Sequence, residues 1–323
     1  MKVLIIRFSS IGDLTQALSI PGLINSYHPD AEIHFVTRQD LAELVLEHPA
    51  VFKVWSLDRK LGFSGLRSLT KELAKENFTH IYDAHNNLRS WYIRTFVKAA
   101  GKLTRPMMRF KRFLLINFQI NLFEKPFSGQ RDLLKPLEKW NMPFKLPPTP
   151  QLFLKANKVP ELPSGDFIVL APSATYELKR WPLEYWDELI KRNSDKKFVV
   201  LAGPGDTFTQ GLNGNSNVLN LTGKTSLAES AAVIKKAKFA VCNDTGLLHF
   251  AEQLGVPAIA LMGPAPFGFP SRPATLIMEL NLPCRPCSKH GQGPCTNPSF
   301  QQCLRGISAE SVSLQMNQRL AAQ

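Results

Sequence analysis

Short β-rich runs and helix-period segments alternate in two successive series along this 323-residue chain, and a proline-rich stretch separates the series. In the first series Lys2–Ile6, Glu32–Thr37, Phe52–Trp55 and His80–Tyr82 read as strands. Segments around 14–28, 39–47, 65–76 and 88–99 place apolar residues at helical intervals. Such alternation implies parallel strands, because a parallel neighbour is reached only through a long crossover, usually a helix. Prolines at 143, 147, 148, 150, 160 and 163 are unsuited to element interiors, which predicts a linker over about 143–164. The pattern then restarts with Phe167–Leu170, a helix over 183–192, Phe198–Ala202, Val218–Leu221, a helix over Leu227–Lys236, Phe239–Cys242, a helix over Gly246–Leu254 and Ala258–Met262. The expected fold class is α/β, with two Rossmann-like parallel-sheet domains, 1–155 and 165–305, facing a central cleft.

The length suits two cores rather than one. Met1-Lys2 leads straight into a short strand-like run, unlike a secretory leader, and no apolar stretch reaches bilayer length; a cytoplasmic location is expected. The formal charge of +13 calls for acidic company: nucleic acid, a phosphorylated small molecule or an anionic membrane face. No nucleic-acid motif with interleaved aromatics accompanies it, which ranks a non-catalytic nucleotide- or nucleic-acid-binding protein below an enzyme.

Open parallel sheets bind ligands beyond the carboxyl ends of their strands. Four polar clusters fall there. RFSSIGDLTQA (7–17) sets Asp13 at the lip of a helix, where capping is the plainer role. DAHNNLRS (83–90) offers His85, Asn87 and Arg89, with local backbone capping as the alternative, and Asp83 as a second carboxylate candidate for a base. APSATYELKRWPLEYW (171–186) offers Ser173, Thr175 and Lys179 ahead of a Pro182-led helix. VCNDTGLLHFAEQLGVP (241–257) ends a strand at Asp244 and opens a helix at Thr245-Gly246, whose free amides suit a phosphate; plain helix capping and a packed His249 are equally open.

Absent motifs narrow the chemistry. No GxGxxG follows either opening strand and no GxxxxGK[ST] occurs, which removes the main support for dinucleotide and P-loop readings. No Asp-x-Asp pair is present to hold a sugar nucleotide through a divalent metal. RPMMRFKRFLLINFQINLF (105–123) mixes Arg109, Lys111 and Arg112 with apolar residues, which suits either an anionic bilayer surface or a buried helix with a solvated end. Cys284-x2-Cys287-x7-Cys295-x7-Cys303 has the ligand count of tetrahedral zinc, with His290 as a substitute ligand, although reduced thiols are the default in a reducing compartment.

RFSSIGDLTQA, DAHNNLRS, APSA…KRWP, LTGKTSLAE (221–229), NDTGLLHFAEQLGVP and CRPCSKHG (284–291), in this order over nearly the whole chain, resemble the heptosyltransferase family of bacterial lipopolysaccharide assembly. The resemblance implies a GT-B fold, an ADP-heptose donor bound by the carboxy-terminal half, a lipid A-linked acceptor bound by the amino-terminal half, and inverting transfer without a divalent metal or other cofactor. It implies Asp13 as general base and Lys179 as the contact to the donor phosphates. Ser173, Thr175, Asp244, Thr245, Gly246 and His249 fall on the donor side, with Asp206 toward the ribose and Thr222 bordering the adenine. Ser10, Gly12, His85, Asn87, Arg89, Arg109 and Arg112 fall on the acceptor side. A membrane-bound acceptor implies peripheral contact with the cytoplasmic face of the inner membrane. The resemblance also predicts that the last helix, about 308–322 within segment 306–323, returns to the first domain. Transfer of another nucleotide-linked sugar to another envelope glycan is the alternative enzyme.

Overall fold

The computed structural model describes residues 1–156 and 158–323; position 157, inside the predicted linker, lies outside the described residues. The chain divides into two compact units, Met1–Met108 with Gly129–Lys155, and Arg109–Ser128 with Ala156–Gln323.

The first unit is built on five parallel strands: β1 (Lys2–Ile6), β2 (Glu32–Arg38), β3 (Lys53–Leu57), β4 (His80–Asp83) and β5 (Gly101–Thr104), in the order β3-β2-β1-β4-β5. Val3 to Ile6 are wholly buried because helices cover both faces of the central strand, which is why β1 reads as an unbroken apolar run. Leu4, Ile6, Phe8, Val36, Ile81 and Ile93 belong to one of its core clusters.

The second unit has six parallel strands: β6 (Ile168–Ala171), β7 (Phe198–Val200), β8 (Val218–Asn220), β9 (Phe239–Asn243), β10 (Ala258–Met262) and β11 (Thr275–Glu279), ordered β11-β10-β9-β6-β7-β8. The helix Leu183–Arg192 buries Trp186, Leu189 and Ile190 in its core and leaves its charged side in water. The helix Gly246–Leu254 ends on Gly255, whose φ of +81° gives the left-handed cap that a side chain would resist.

Each sheet begins with a central strand, extends to one side, and then resumes on the other side of that strand. This gives one switch point between β1 and β4 and another between β6 and β9, the places where doubly wound sheets open a crevice at their carboxyl edge. The short strands β5 and β11, which the periodicity did not single out, complete the sheet edges.

Two segments depart from the expected boundaries. Residues 109–128 group with the second unit rather than with 1–155: the Arg112 guanidinium lies 4.4 Å from the centre of the Phe267 ring, Phe123 and Phe127 pack edge-on against the same ring, and Gln119 donates to the Pro286 carbonyl at 3.0 Å. The last helix, Ala309–Ala321, also stays in the second unit instead of returning to the first. Its Val312 and Met316 share a core with Trp186 and Leu189, and the Trp181 indole donates to the Ile307 carbonyl just ahead of it. Among the described residues no helix is long and apolar enough to cross a membrane.

Candidate active site

In the first unit the chemistry collects over the β1/β4 switch point. Ser10 caps the helix Ile11–Ala17, so Asp13 occupies its third position rather than the cap itself. The Ser10 amide and hydroxyl both donate to Asp13 Oδ2, at 3.4 and 3.1 Å, and Arg7 Nη2 lies 2.7 Å from the same oxygen. Capping and a charged function coexist, since the Asp13 side chain keeps 45% of its surface exposed while that of Arg7 keeps 6%. Desolvation pushes the Asp13 carboxyl up, but the Arg7 and Arg105 charges and the Ser10 donors outweigh it and hold the pKa at about 2. Asp13 is therefore a carboxylate at any physiological pH. Arg7 was not singled out in the sequence, yet it is fixed for this contact: it is buried at the end of β1 and donates to the Ala84 carbonyl at 2.7 Å.

His85 joins this cluster. The Phe8 amide approaches its Nδ1 at 3.4 Å, and burial together with the Arg7 charge lowers the imidazole pKa to about 4, leaving the ring neutral. Gly12 lies on the same helical turn as Asp13. Asp83 is turned inward: it is fully buried, its Oδ1 accepts from the His85 and Asn86 amides at 3.1 and 2.7 Å, and burial raises its pKa. That removes it as a solvent-facing base. Asn87 is spent on capping, its side chain accepting from the Ser90 amide at 3.0 Å. Arg89 is exposed on the helix Leu88–Phe96, beside a groove of about 410 Å³ lined by Phe63, Leu88, Trp91 and Tyr92.

In the second unit the β6/β9 switch point carries a separate cluster. Lys179 Nζ sits 2.6 Å from Asp244 Oδ2, with both side chains largely buried. Asn243 ties the two strand ends together, donating to the Pro172 carbonyl at 2.6 Å and accepting from the Trp181 amide at 3.2 Å. Thr245 caps the helix Gly246–Leu254 without using its hydroxyl on the helix amides, so those amides and the hydroxyl stay available to an anion. Gly268, with φ of +105°, lies so close that an added Cβ would stand 2.5 Å from Asp244 Oδ1. His249 is a packed residue rather than an open ligand: it is buried, with Nδ1 3.0 Å from Glu252 Oε2, and Glu252 also accepts from the Ser271 and Arg272 amides.

Asp206 works mainly as an internal organiser. Its Oδ2 accepts from the Ser173 hydroxyl at 2.6 Å and the Gly203 amide at 3.0 Å, and Oδ1 is 3.4 Å from Arg180. Ser173 is thereby oriented, while Thr175 stays exposed on the same loop. Thr222 shares a 2.7 Å hydroxyl contact with the buried Thr209. Arg109 and Arg112, expected on the acceptor side of the first unit, belong to the second; Arg109 is exposed and Arg112 stacks on Phe267. A groove of about 830 Å³ runs between residues 115–127 and 265–286 of this unit, with Phe123, Phe127, Phe267, Phe269 and Arg285 in its walls. The four carboxy-terminal cysteines line one small cavity of the same unit.

Comparison with known proteins identifies the family and the fold. Residues 66–294 match the model of glycosyltransferase family 9 (heptosyltransferase). Lipopolysaccharide heptosyltransferase 1 of Pseudomonas aeruginosa is 27% identical over 316 residues, covering 90% of this chain and 86% of that protein. Among solved structures, the family 9 glycosyl transferase from Veillonella parvula superposes with a TM-score of 0.78 at 20% identity, covering 100% of this chain and 98% of that one. The Escherichia coli ADP-heptose lipopolysaccharide heptosyltransferase II gives 0.75 at 22% identity, covering 100% and 99%. These matches bear out the α/β class with GT-B neighbours and set aside the non-catalytic reading. The chain belongs to glycosyltransferase family 9, the heptosyltransferases, and is a glycosyltransferase.

Proposed function

We propose that this enzyme transfers a heptose from ADP-heptose to a lipid A-linked inner-core acceptor by a single inverting displacement, without a divalent metal in the donor site. The observation that carries the reading is the second switch point. A lysine ammonium, a threonine hydroxyl and the free amides of a helix N-terminus surround the place where a diphosphate suits this fold, and no Asp-x-Asp pair is present to recruit a metal.

In the proposed step the acceptor hydroxyl gives its proton to the Asp13 carboxylate as its oxygen bonds to the anomeric carbon. The bond from that carbon to the diphosphate oxygen breaks on the opposite face, and ADP leaves with the electron pair. Lys179 exchanges part of its contact with Asp244 for the diphosphate, and Thr245 with the Gly246 helix end meets the charge that develops as the bond breaks. Ser173, Thr175, Asp206 and Thr222 belong to the nucleotide side. Ser10 and His85 flank the base on the acceptor side, with Gly12 leaving room beside it.

We further assign the enzyme a peripheral place on an anionic membrane. Phe110, Phe113 and Phe118 stand exposed on the Arg109–Phe118 helix beside Arg109, and Phe63, Leu88 and Trp91 form an exposed apolar group beside Arg89 in the other unit. Interfacial aromatics with a basic rim suit a surface rich in acidic lipid.

A donor panel tests the reading. ADP-heptose should be consumed in the presence of chelator and give a product of inverted anomeric configuration by NMR. Turnover of UDP- or GDP-sugars with none of any ADP-sugar would overturn it.

A further inference from the structure

We propose that Cys284, Cys287, Cys295 and Cys303 together hold one metal ion of the zinc or ferrous class as a tetrathiolate site. The four residues are spread over twenty positions, yet all of them line a single small cavity of about 10 Å³, with Leu178, Pro264, Arg285, Asn297, Gln301 and Gln302 forming the rest of its wall. That volume matches one small sphere rather than an organic ligand. All four are free thiols in the structure. Gathering unpaired thiols in one place brings no packing advantage that serine or alanine would lack, whereas four soft sulfur ligands are what tetrahedral zinc or iron selects.

The surroundings already supply what a thiolate site needs. The Gln301 amide donates to Cys295 Sγ at 3.2 Å and Asn297 Nδ2 to Cys284 Sγ at 3.4 Å, bonds of the kind that orient ligating sulfurs from outside. With a cation among them, each thiol that ligates gives up its proton, and the positive charge holds the four thiolates together.

The loop also needs a fastener. Residues 280–301, from the end of β11 to the helix Gln302–Arg305, contain neither helix nor strand. Long irregular loops of this kind inside a compact unit are usually functional or tied down. This one leans on the Lys179 segment: an added Cβ at Gly291 would stand 2.6 Å from Lys179 Cγ, Gln292 Nε2 donates to Tyr176 Oη at 2.7 Å, and Gln301 Nε2 donates to the Arg180 carbonyl at 2.7 Å. A metal at its root would fix these contacts.

Among the described residues, the trio whose ligand atoms already lie within 4.8 Å of one another is a different one, Glu32, His34 and Glu76. Lys2 Nζ occupies that place, 2.8 Å from Glu32 and 2.7 Å from Glu76, so the cation there is the lysine itself. The cysteine sulfurs, in contrast, must draw closer around an ion, which rotation about their χ1 bonds allows.

The test uses the full chain purified under reducing conditions without chelator. Plasma emission should find about one zinc or iron per chain, and the two metals distinguish which is taken up. Cobalt(II) added to the metal-stripped protein should give the intense visible bands of tetrahedral coordination together with sulfur-to-cobalt charge transfer. Cys287→Ser and Cys303→Ser should each lower bound metal several-fold, whereas Cys242→Ala, at the fifth cysteine, should retain it. A folded wild-type chain, checked by circular dichroism, that takes up neither metal nor cobalt overturns the proposal, as does a cobalt spectrum without sulfur charge transfer. If the serine variants fail to fold, the wild-type cobalt spectrum alone decides.

Discussion

Arg7 and Asp13 meet at 2.7 Å, a buried guanidinium at the end of β1 reaching a half-exposed carboxylate on the next helix. The pair gives a strand end two properties that one residue could not combine: a charge anchored in the core and an anionic oxygen that a substrate can reach. In the proposed role of base, an Asp13 kept ionised has little proton affinity, and its effectiveness would come from position.

That balance predicts the pH behaviour. The folded Asp13 pKa of about 2 lies below its ordinary value of 3.8, so the stability it contributes is present above about pH 4 and is lost as pH falls toward 2. Arg7→Met should raise the Asp13 pKa, move the acid limb of the kcat/KM profile to higher pH, and make acid unfolding begin at higher pH. It also leaves the Ala84 carbonyl without its donor, a loss of about 1–3 kcal/mol readable in urea melts. An acid limb unmoved by the variant would contradict the coupling.

Lys179 and Asp244 are predicted to separate binding from stability. Lys179→Met removes a charge from the proposed diphosphate site and leaves a buried carboxylate unpaired, so ADP affinity should fall about tenfold or more and stability by about 3–5 kcal/mol. Lys179→Met combined with Asp244→Asn should regain much of the stability in denaturant melts without regaining ADP affinity in calorimetry.

Gly268→Ala tests the support behind that pair. The new methyl would meet Asp244 Oδ1 at 2.5 Å and must also adopt a φ near +105°. A loss of at least about 1 kcal/mol and a weaker ADP complex are expected, measured together by thermal shift with and without ADP.

Parallel strands are buried on both faces and stand out as apolar runs, so the polar residues just after each run mark the carboxyl edge of a sheet. Lys2–Ile6 before Asp13 and Phe239–Asn243 before Asp244 are legible in this way. Partners distant in sequence were not. Nothing near Asp244 points to Lys179 or Gly268, and Arg7 reads as an ordinary charge at a strand end until its fold neighbours are known. The grouping of 109–128 with the second unit escaped for a similar reason: it depends on Phe267, well over a hundred positions away, and the segment's own composition suits several surroundings.

The exposed phenylalanines of the Arg109–Phe118 helix lead to a membrane prediction. Phe110→Ser with Phe113→Ser should lower binding to vesicles containing anionic lipid several-fold and leave turnover of a water-soluble acceptor unchanged. Sedimentation with such vesicles, against neutral ones, reads the difference.

The most direct measurement compares turnover with donor binding in Asp13→Asn. The amide keeps the size of the side chain and removes the proton acceptor, so kcat should fall by about 10²- to 10⁴-fold while the dissociation constant for ADP-heptose stays within about twofold of wild type. Turnover near the wild-type rate in a folded Asp13→Asn enzyme would contradict the account of this carboxylate as the base.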